Sequence, residues 1–360
     1  MKNYFIKISL YAVLILLITN CATKKKNTIT DEKKDPLLND TVVYVAKDNS
    51  AKKNFFKDSD RETAWVDSIY NKMSVPEKIG QLFMISAYSN RDSLHTKEVN
   101  TLIQDYKVGG LIFFQGGPVR QAKLTNLYQS KAKVPLFIAI DAEWGLGMRL
   151  DSTYIYPWNM TLGAIQDLSL IENVGRNMGD ENKRIGIHFN FAPVLDINTN
   201  PKNPIIGNRS FGEDKVNVSN KAIALMKGVQ SQGVFSTGKH FPGHGDTAVD
   251  SHKALPLINF SKERLELVEL YPYKQIFDEG LVSVMVAHLN IPSLEPQSNI
   301  PSSASYNIVT NLLQKELGFN GLIFTDGLAM KGATDFKGPG DLEIAVLLAG
   351  NDIFLGPENV

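Results

Sequence analysis

The segment Gly238-Lys-His-Phe-Pro-Gly-His-Gly-Asp-Thr-Ala-Val-Asp-Ser-His252 decides how the rest of the chain is read. It carries three of the six histidines, His240, His244 and His252, together with Lys239, Asp246 and Asp250. A packed core has no use for so many ionisable groups in so short a span. Pro242 and the glycines keep the segment out of a helix, so it reads as a loop leaving a strand at Phe235–His240. Loops carried on a rigid scaffold are where catalytic groups concentrate. An active-site loop at the end of a buried strand is the expectation.

Outward from that strand, apolar runs alternate with amphipathic stretches. Strands are expected at Gly80–Ser86, Gly110–Phe114, Leu136–Asp141, Phe189–Ile197, Phe235–His240, Ser283–Asn290, Leu322–Asp326 and Asp352–Leu355. Helical periodicity marks Lys97–Tyr106, Val119–Ser130, Leu168–Lys183, Lys215–Ser231, Lys262–Glu279, Tyr306–Leu317 and Asp341–Leu348, after a short helix from Thr63 to Met73. Short buried strands alternating with helices imply a parallel sheet with helical crossovers. Eight such strands, in a length near the ~250 residues typical of the fold, predict an α/β protein built as a (β/α)₈ TIM-type barrel. A doubly wound open sheet competes, but the chain has no Gly-x-Gly-x-x-Gly strand-to-helix turn. The sequence stops at Val360, just past the eighth strand, so the final helix of the barrel is missing from this reading. A further C-terminal domain beyond Val360 stays open.

Lys+Arg and Asp+Glu are equal at 38 each, which leaves no basic surplus for a phosphate backbone and argues against a nucleic-acid partner. The single cysteine, Cys21, excludes an intrachain disulfide framework and any cysteine-rich zinc site. Lys2 and Lys7 precede or border an apolar run from Ile8 to Ile18. That run is about eleven residues, short of the roughly 20 that span a bilayer but suited to a signal-peptide core. Residues 1–21 resemble a bacterial lipoprotein signal in which Cys21 is lipidated, although Asn20 stands where a small residue is usual. An ordinary secretory signal or an uncleaved anchor is the alternative. Each places the protein in the cell envelope or outside it, with a lipid anchor to the membrane in the first case. Residues 22–60 are rich in Lys, Asn, Asp and Thr and read as a flexible polar linker. The catalytic domain then occupies 61–360.

In a barrel the active site lies at the C-terminal strand ends. Asp141 and Glu143, Asp196, Lys239 and His240, His288 and Asp326 all fall at those expected ends, so one shared pocket is predicted. Asp326 lies where an apolar strand opens into a loop, the place for a carboxylate that attacks a sugar carbon. Asp250 and His252 are two apart, and in an extended segment both would project to one side. The carboxylate would then orient an imidazole that protonates a leaving oxygen and later deprotonates water. Together these parts suggest retaining glycoside hydrolysis with histidine in place of the usual carboxylic acid.

From about Trp65 onward the chain resembles glycoside hydrolase family 3, specifically its bacterial β-N-acetylhexosaminidases (NagZ type). Lys239-His-Phe-Pro-Gly-His-Gly-Asp-Thr with Asp250-Ser-His252 is similar to the family's most specific signature, and Phe324-Thr-Asp-Gly-Leu-Ala-Met330 to its nucleophile motif. The resemblance implies Asp326 as nucleophile, His252 as general acid/base and Asp250 as its partner. Through Asn208-Arg-Ser-Phe-Gly212, Asp141-Ala-Glu-Trp-Gly-Leu-Gly-Met-Arg149 and the Lys-His pair, it implies Arg209, Asp141, Arg149, Lys239 and His240 as substrate-binding residues. No cofactor and no metal are implied. The substrate implied is a β-N-acetylglucosaminide oligosaccharide, with peptidoglycan fragments suggested by the compartment. Two departures stand out: Trp144 and Leu146 interrupt a third-strand segment that usually reads Asp-x-Glu-Gly-Gly-Arg, and Gly327 follows the nucleophile where aspartate is common. Three other readings stay open: a metal hydrolase using His240, His244, Asp246 and His252, a non-catalytic envelope carbohydrate-binding protein, and a family 3 β-glucosidase.

Overall fold

The computed structural model describes residues 60–357 and 360; the expected signal segment, Cys21 and the linker up to residue 59 lie outside the described residues. The strands are β1 (Phe83–Ala87), β2 (Gly110–Phe113), β3 (Phe137–Ile140), β4 (Phe189–Asn190), β5 (Phe235–Phe241), β6 (Ser283–Val286), β7 (Leu322–Thr325) and β8 (Phe354–Leu355). They form one eight-stranded sheet in the order β7-β6-β5-β4-β3-β2-β1-β8, and every ladder is parallel. A parallel bridge between Phe324 and Ile353 brings the two ends together, with the Thr325 N–H donating to the Ile353 carbonyl at 3.0 Å. The result is a nearly closed TIM-like barrel, as the alternation of strands and helices predicts.

Period-2 alternation sorts the strand residues. Met84, Ile112, Ala139, Phe189, Phe191, Met285, Phe324, Ile353 and Leu355 form the barrel interior. Their neighbours in sequence, such as Ile85, Phe113, Ile138 and Ile140, face outward onto the helices. Phe324 sits at the centre of the interior with its ring edge-on to Phe189 and Phe191, at 5.3 and 5.2 Å between centroids.

The helical layer comprises α1 (Asp60–Tyr70), α2 (Val75–Gly80), α3 (Ser93–Gln104), α4 (Pro118–Lys131), α5 (Asn159–Gly163), α6 (Leu168–Arg184), α7 (Lys215–Gln230), α8 (Lys262–Leu267), α9 (Tyr271–Asp278), α10 (Lys331–Thr334) and α11 (Asp341–Ala349), with a π-helical stretch at Asn307–Glu316. In α6 the buried residues Ile171, Gly175, Met178, Gly179 and Asn182 repeat at helical spacing. Asp167 caps its first turn by accepting from the Ser169 N–H at 2.9 Å. Gly175 and Gly228 let α6 and α7 touch backbone to backbone, since a Cβ on either would lie within 2.2 Å of a carbonyl oxygen of the other helix.

Three expectations change. The helix read as Lys262–Glu279 is two helices, because Pro272 in the first turn of α9 has no N–H to extend α8. The strand read as Phe189–Ile197 keeps regular pairing only over Phe189–Asn190, and Pro193 has no ladder donor to offer. The start of the strand read as Gly80–Ser86 is instead the end of α2, which Ser74 and Glu77 launch with a reciprocal capping box.

Replacing Phe324 by alanine is expected to lower folding stability by about 3–5 kcal/mol, through a cavity in the barrel interior. Urea unfolding followed by circular dichroism measures it; a loss under about 1 kcal/mol would mean that the interior is not packed as described.

Candidate active site

The alternation that fills the barrel also aims the chemistry. Asp141 lies two residues after Ala139 and Asp326 two after Phe324, so both carboxylates continue the inward-facing row past the strand ends. Lys239 pairs in register with the inward Met285. One residue later β5 bulges: Lys239 opposes Met285 while Phe241 already opposes Val286. His240 is the extra residue, and the bulge lets both Lys239 and His240 face the site while Phe241 returns to the helix-side core. The loop that follows is pressed onto the end of the fourth strand segment, where a Cβ on Gly245 would lie 1.8 Å from the Ile197 carbonyl oxygen.

A charge network forms the floor. The Lys239 ammonium, with 2% of its side chain exposed, donates to Asp141 Oδ1 at 2.8 Å and Glu143 Oε1 at 2.7 Å. Arg149 Nη2 donates to Asp141 Oδ2 at 2.6 Å. Arg209 grips Glu143 with two bonds, Nε to Oε2 at 2.9 Å and Nη2 to Oε1 at 2.7 Å. Burial favours the neutral acids, but the facing cations win. Arg209 and Lys239 hold Glu143, and Lys239 and Arg149 hold Asp141, below the usual carboxylate range.

Asp196 organises the two histidines. Its Oδ1 accepts the backbone N–H of His240 at 3.2 Å and of His244 at 2.7 Å, and its Oδ2 lies 2.6 Å from His240 Nδ1. A carboxylate accepts, so His240 donates from Nδ1, leaving Nε2 to accept from Arg209 Nη2 at 3.2 Å. Buried His244 is pushed down to about 4, chiefly by desolvation, and its ring lies against Thr247 Oγ1 at 2.7 Å and Ser251 Oγ at 3.2 Å.

Asp326 follows β7 directly. Its Oδ1 accepts the Gly327 N–H at 2.7 Å, and its other oxygen has no hydrogen-bond partner among the described residues. Burial raises its pKa, yet the Gly327 N–H and the Lys239 ammonium pull it down, and the net direction is below the ordinary value. The carboxylate is therefore ionised and has one oxygen available.

Asp250 and His252 do meet, but not as an extended pair. Asp250 Oδ1 accepts both the backbone N–H of His252 and its Nδ1–H, each at 2.9 Å, which folds Asp250–Lys253 into a turn. His252 Nε2 is left as the nitrogen that can exchange protons, on a side chain 62% exposed. Despite burial, hydrogen bonds from His252 keep the Asp250 pKa low. The turn is tied to the segment after β7 by the Gly332 N–H, which donates to the Ser251 carbonyl at 3.0 Å.

Asp141, Glu143, Arg149, Arg209, Lys239, His240, His244, Ser251, His252 and Asp326 line one cavity of about 500 Å³, which opens at the C-terminal strand ends, whereas Asp196, Asp250 and His288, the first and last of them expected in the shared pocket, lie behind its lining. Asp141, Arg149, Arg209, Lys239, His240, His252 and Asp326 are thus brought together as the sequence predicts. Trp144 both lines the cavity and packs on Trp158, with ring centroids 4.1 Å apart. The sequence reading placed Glu143 and Asp196 at strand ends but gave them no role, although Glu143 is the shared anion of Lys239 and Arg209. Its spacing of two from Asp141 is the signal that puts it on the same face. Tyr88, Phe114, Ile205, Ile206 and Met330 also line the cavity and carry no chemical signature that would single them out.

Residues 74–360 match the family described as the glycosyl hydrolase family 3 N terminal domain. The beta-hexosaminidase A of Pseudoalteromonas piscicida is 37% identical over 283 residues, covering 72% of this chain and 47% of that protein. A beta-hexosaminidase of Nitrosomonas eutropha is 35% identical over 239 residues, covering 64% of this chain and 68% of its own. Among solved structures, a glycoside hydrolase family 3 beta-N-acetylglucosaminidase from Paenibacillus sp. str. FPU-7 matches with a TM-score of 0.74 at 38% identity, over 79% of this chain and 55% of that one. The beta-glucoside phosphorylase BglX matches with a TM-score of 0.79 at 26% identity, over 84% of this chain and 55% of that one. The chain spans about half the length of the Pseudoalteromonas, Paenibacillus and phosphorylase proteins. A barrel with these strand-end residues, matched over residues 74–360, belongs to glycosyl hydrolase family 3 and carries that family's N-terminal domain.

Proposed function

We propose that the protein is a retaining glycoside hydrolase that releases terminal β-linked N-acetylglucosamine, with Asp326 as nucleophile and His252, oriented by Asp250, as general acid/base. The observation that carries this reading is an ionised Asp326 with one unbonded oxygen, in the same cavity as an exposed His252 whose Nδ1 is committed to Asp250. The Asp326 oxygen attacks the anomeric carbon as the glycosidic C–O bond breaks, and the His252 Nε2 proton passes to the departing oxygen. His252 then takes a proton from water, whose oxygen displaces Asp326 and restores the carboxylate. Asp141, Arg149, Arg209, Lys239 and His240 hold the sugar hydroxyls. The acetamido sugar is favoured over glucose by the names of the relatives at 35–38% identity. The leader ending at Cys21 supports an envelope-tethered enzyme acting on peptidoglycan fragments.

Asp326→Asn is expected to lower kcat on nitrophenyl N-acetyl-β-glucosaminide by at least ~10³-fold with the fold intact by circular dichroism. Turnover in the Asn variant within a few-fold of wild type would remove Asp326 from the chemistry.

His252→Ala is expected to lose ~10²–10⁴-fold in kcat/KM, which reports the first step, on chitobiose, whose leaving group needs a proton, and far less on a dinitrophenyl glycoside. Equal losses on the two would count against the acid role.

A Cβ on Gly332 would come within 3.1 Å of the Ser251 carbonyl oxygen and displace the turn that holds His252. Gly332→Ala should therefore reproduce the leaving-group-dependent loss at about 10-fold, as a small misplacement of a catalytic group does. Unchanged activity on chitobiose would show that the turn and the segment after β7 are not coupled in this way.

A further inference from the structure

His288 follows β6 and is fully buried, and no step above uses it. Its Nε2 lies 3.1 Å from the Gly327 carbonyl oxygen and its Nδ1 2.7 Å from Ser303 Oγ. A carbonyl oxygen only accepts, so Nε2 carries a proton. Ser303 Oγ can donate, and with Nδ1 as acceptor one neutral tautomer satisfies both contacts. Burial favours the neutral ring: desolvation pulls the His288 pKa down against the opposing pull of Asp326. The backbone around the ring is fixed as well. Ser302 Oγ donates to the Ala287 carbonyl at 2.5 Å and accepts from the Leu289 N–H at 3.0 Å.

The other end of this chain of bonds is the Asp326 carboxylate. Gly327 offers no side chain to fix its own conformation, and its N–H is the one hydrogen bond found on the Asp326 carboxylate among the described residues. The family resemblance leads one to expect an aspartate here; glycine makes an outside anchor more important. We propose that His288, as the neutral Nε2–H tautomer, is the positioning residue for Asp326: by holding the Gly327 carbonyl it keeps the Gly327 N–H on Oδ1 and leaves the other oxygen to attack. This rests on the reading of Asp326 as nucleophile.

Three variants and two readouts test it. His288→Leu removes the side-chain anchor, leaving the Met330 N–H on the Gly327 carbonyl at 3.0 Å, and should lower kcat about 10–100-fold on good and poor leaving groups alike, with KM changed less than about threefold. His288→Gln supplies one N–H donor and one acceptor and should recover at least part of that loss, which a merely space-filling role would not produce. Asp326→Asn in the same assay establishes whether the nucleophile reading holds. The readouts independent of turnover are ¹⁵N NMR of the His288 ring in wild type and hydrogen exchange at the Gly327 amide. The expected ring is protonated on Nε2 alone, and the expected exchange is faster in His288→Leu than in wild type.

A ring protonated on Nδ1, as the other tautomer or as imidazolium, overturns the proposal. So does unchanged Gly327 exchange, or a His288→Leu enzyme with wild-type kcat. If wild type shows no glycosidase turnover while the ring is Nε2–H and the exchange accelerates, the positioning stands and the functional reading falls. If Asp326→Asn abolishes turnover and His288→Leu does not lower kcat, the reverse holds.

Discussion

The site depends on one buried cation. Lys239 sits between two carboxylates, Asp141 and Glu143, with almost none of its side chain in contact with solvent. A buried ammonium is tolerated only when its lost hydration is replaced by paired, hydrogen-bonded charge. That requirement binds β3 to β5 across β4, and through Glu143 it also fixes Arg209 on the loop that follows β4. Removing Glu143 would strip Arg209 of its carboxylate partner, and removing Asp141 would do the same to Arg149. The network is therefore a structural clamp as well as the proposed binding surface, and it holds its polar groups in preset positions.

The proposed nucleophile and the proposed proton carrier hang on different supports. Asp326 continues directly from a barrel strand whose interior Phe324 is packed on Phe189 and Phe191, so its placement inherits the rigidity of the core. His252 rides on a loop, held by the Asp250 turn, by Ser251 against His244, and by the Gly332 contact. A nucleophile needs a fixed approach to one carbon, whereas a proton carrier serves first the departing oxygen and then water. The exposure of His252 and the burial around Asp326 match that division of labour.

The barrel was legible because burial on both faces leaves nearly continuous apolar strands, and helical periodicity fills the gaps between them. The positions of Asp141, Lys239 and Asp326 were legible for the same reason, since strand ends can be counted. What sequence did not reveal was local chain reversal and distant pairing. Asp250 bends the chain by capturing the His252 N–H, so an expectation of extension failed while the pairing itself held. The bond from Glu143 to Arg209 spans 66 residues and that from Asp196 to His240 spans 44, distances over which no spacing rule operates. The capping box at Ser74 and Glu77, by contrast, is written in the sequence as Ser-x-x-Glu and starts α2 ahead of β1.

The central claim is that Asp326 forms a covalent bond to the sugar, rather than the acetamido oxygen of the substrate serving as nucleophile. The most direct measurement is to quench the enzyme during turnover of 5-fluoro-N-acetylglucosaminyl fluoride, which slows release of the intermediate. Intact mass and peptide mapping then locate any adduct. One added fluorosugar is expected, on the peptide carrying Asp326. An adduct on another residue, or catalytic turnover of this reagent with no adduct under conditions where release is rate-limiting, would contradict it.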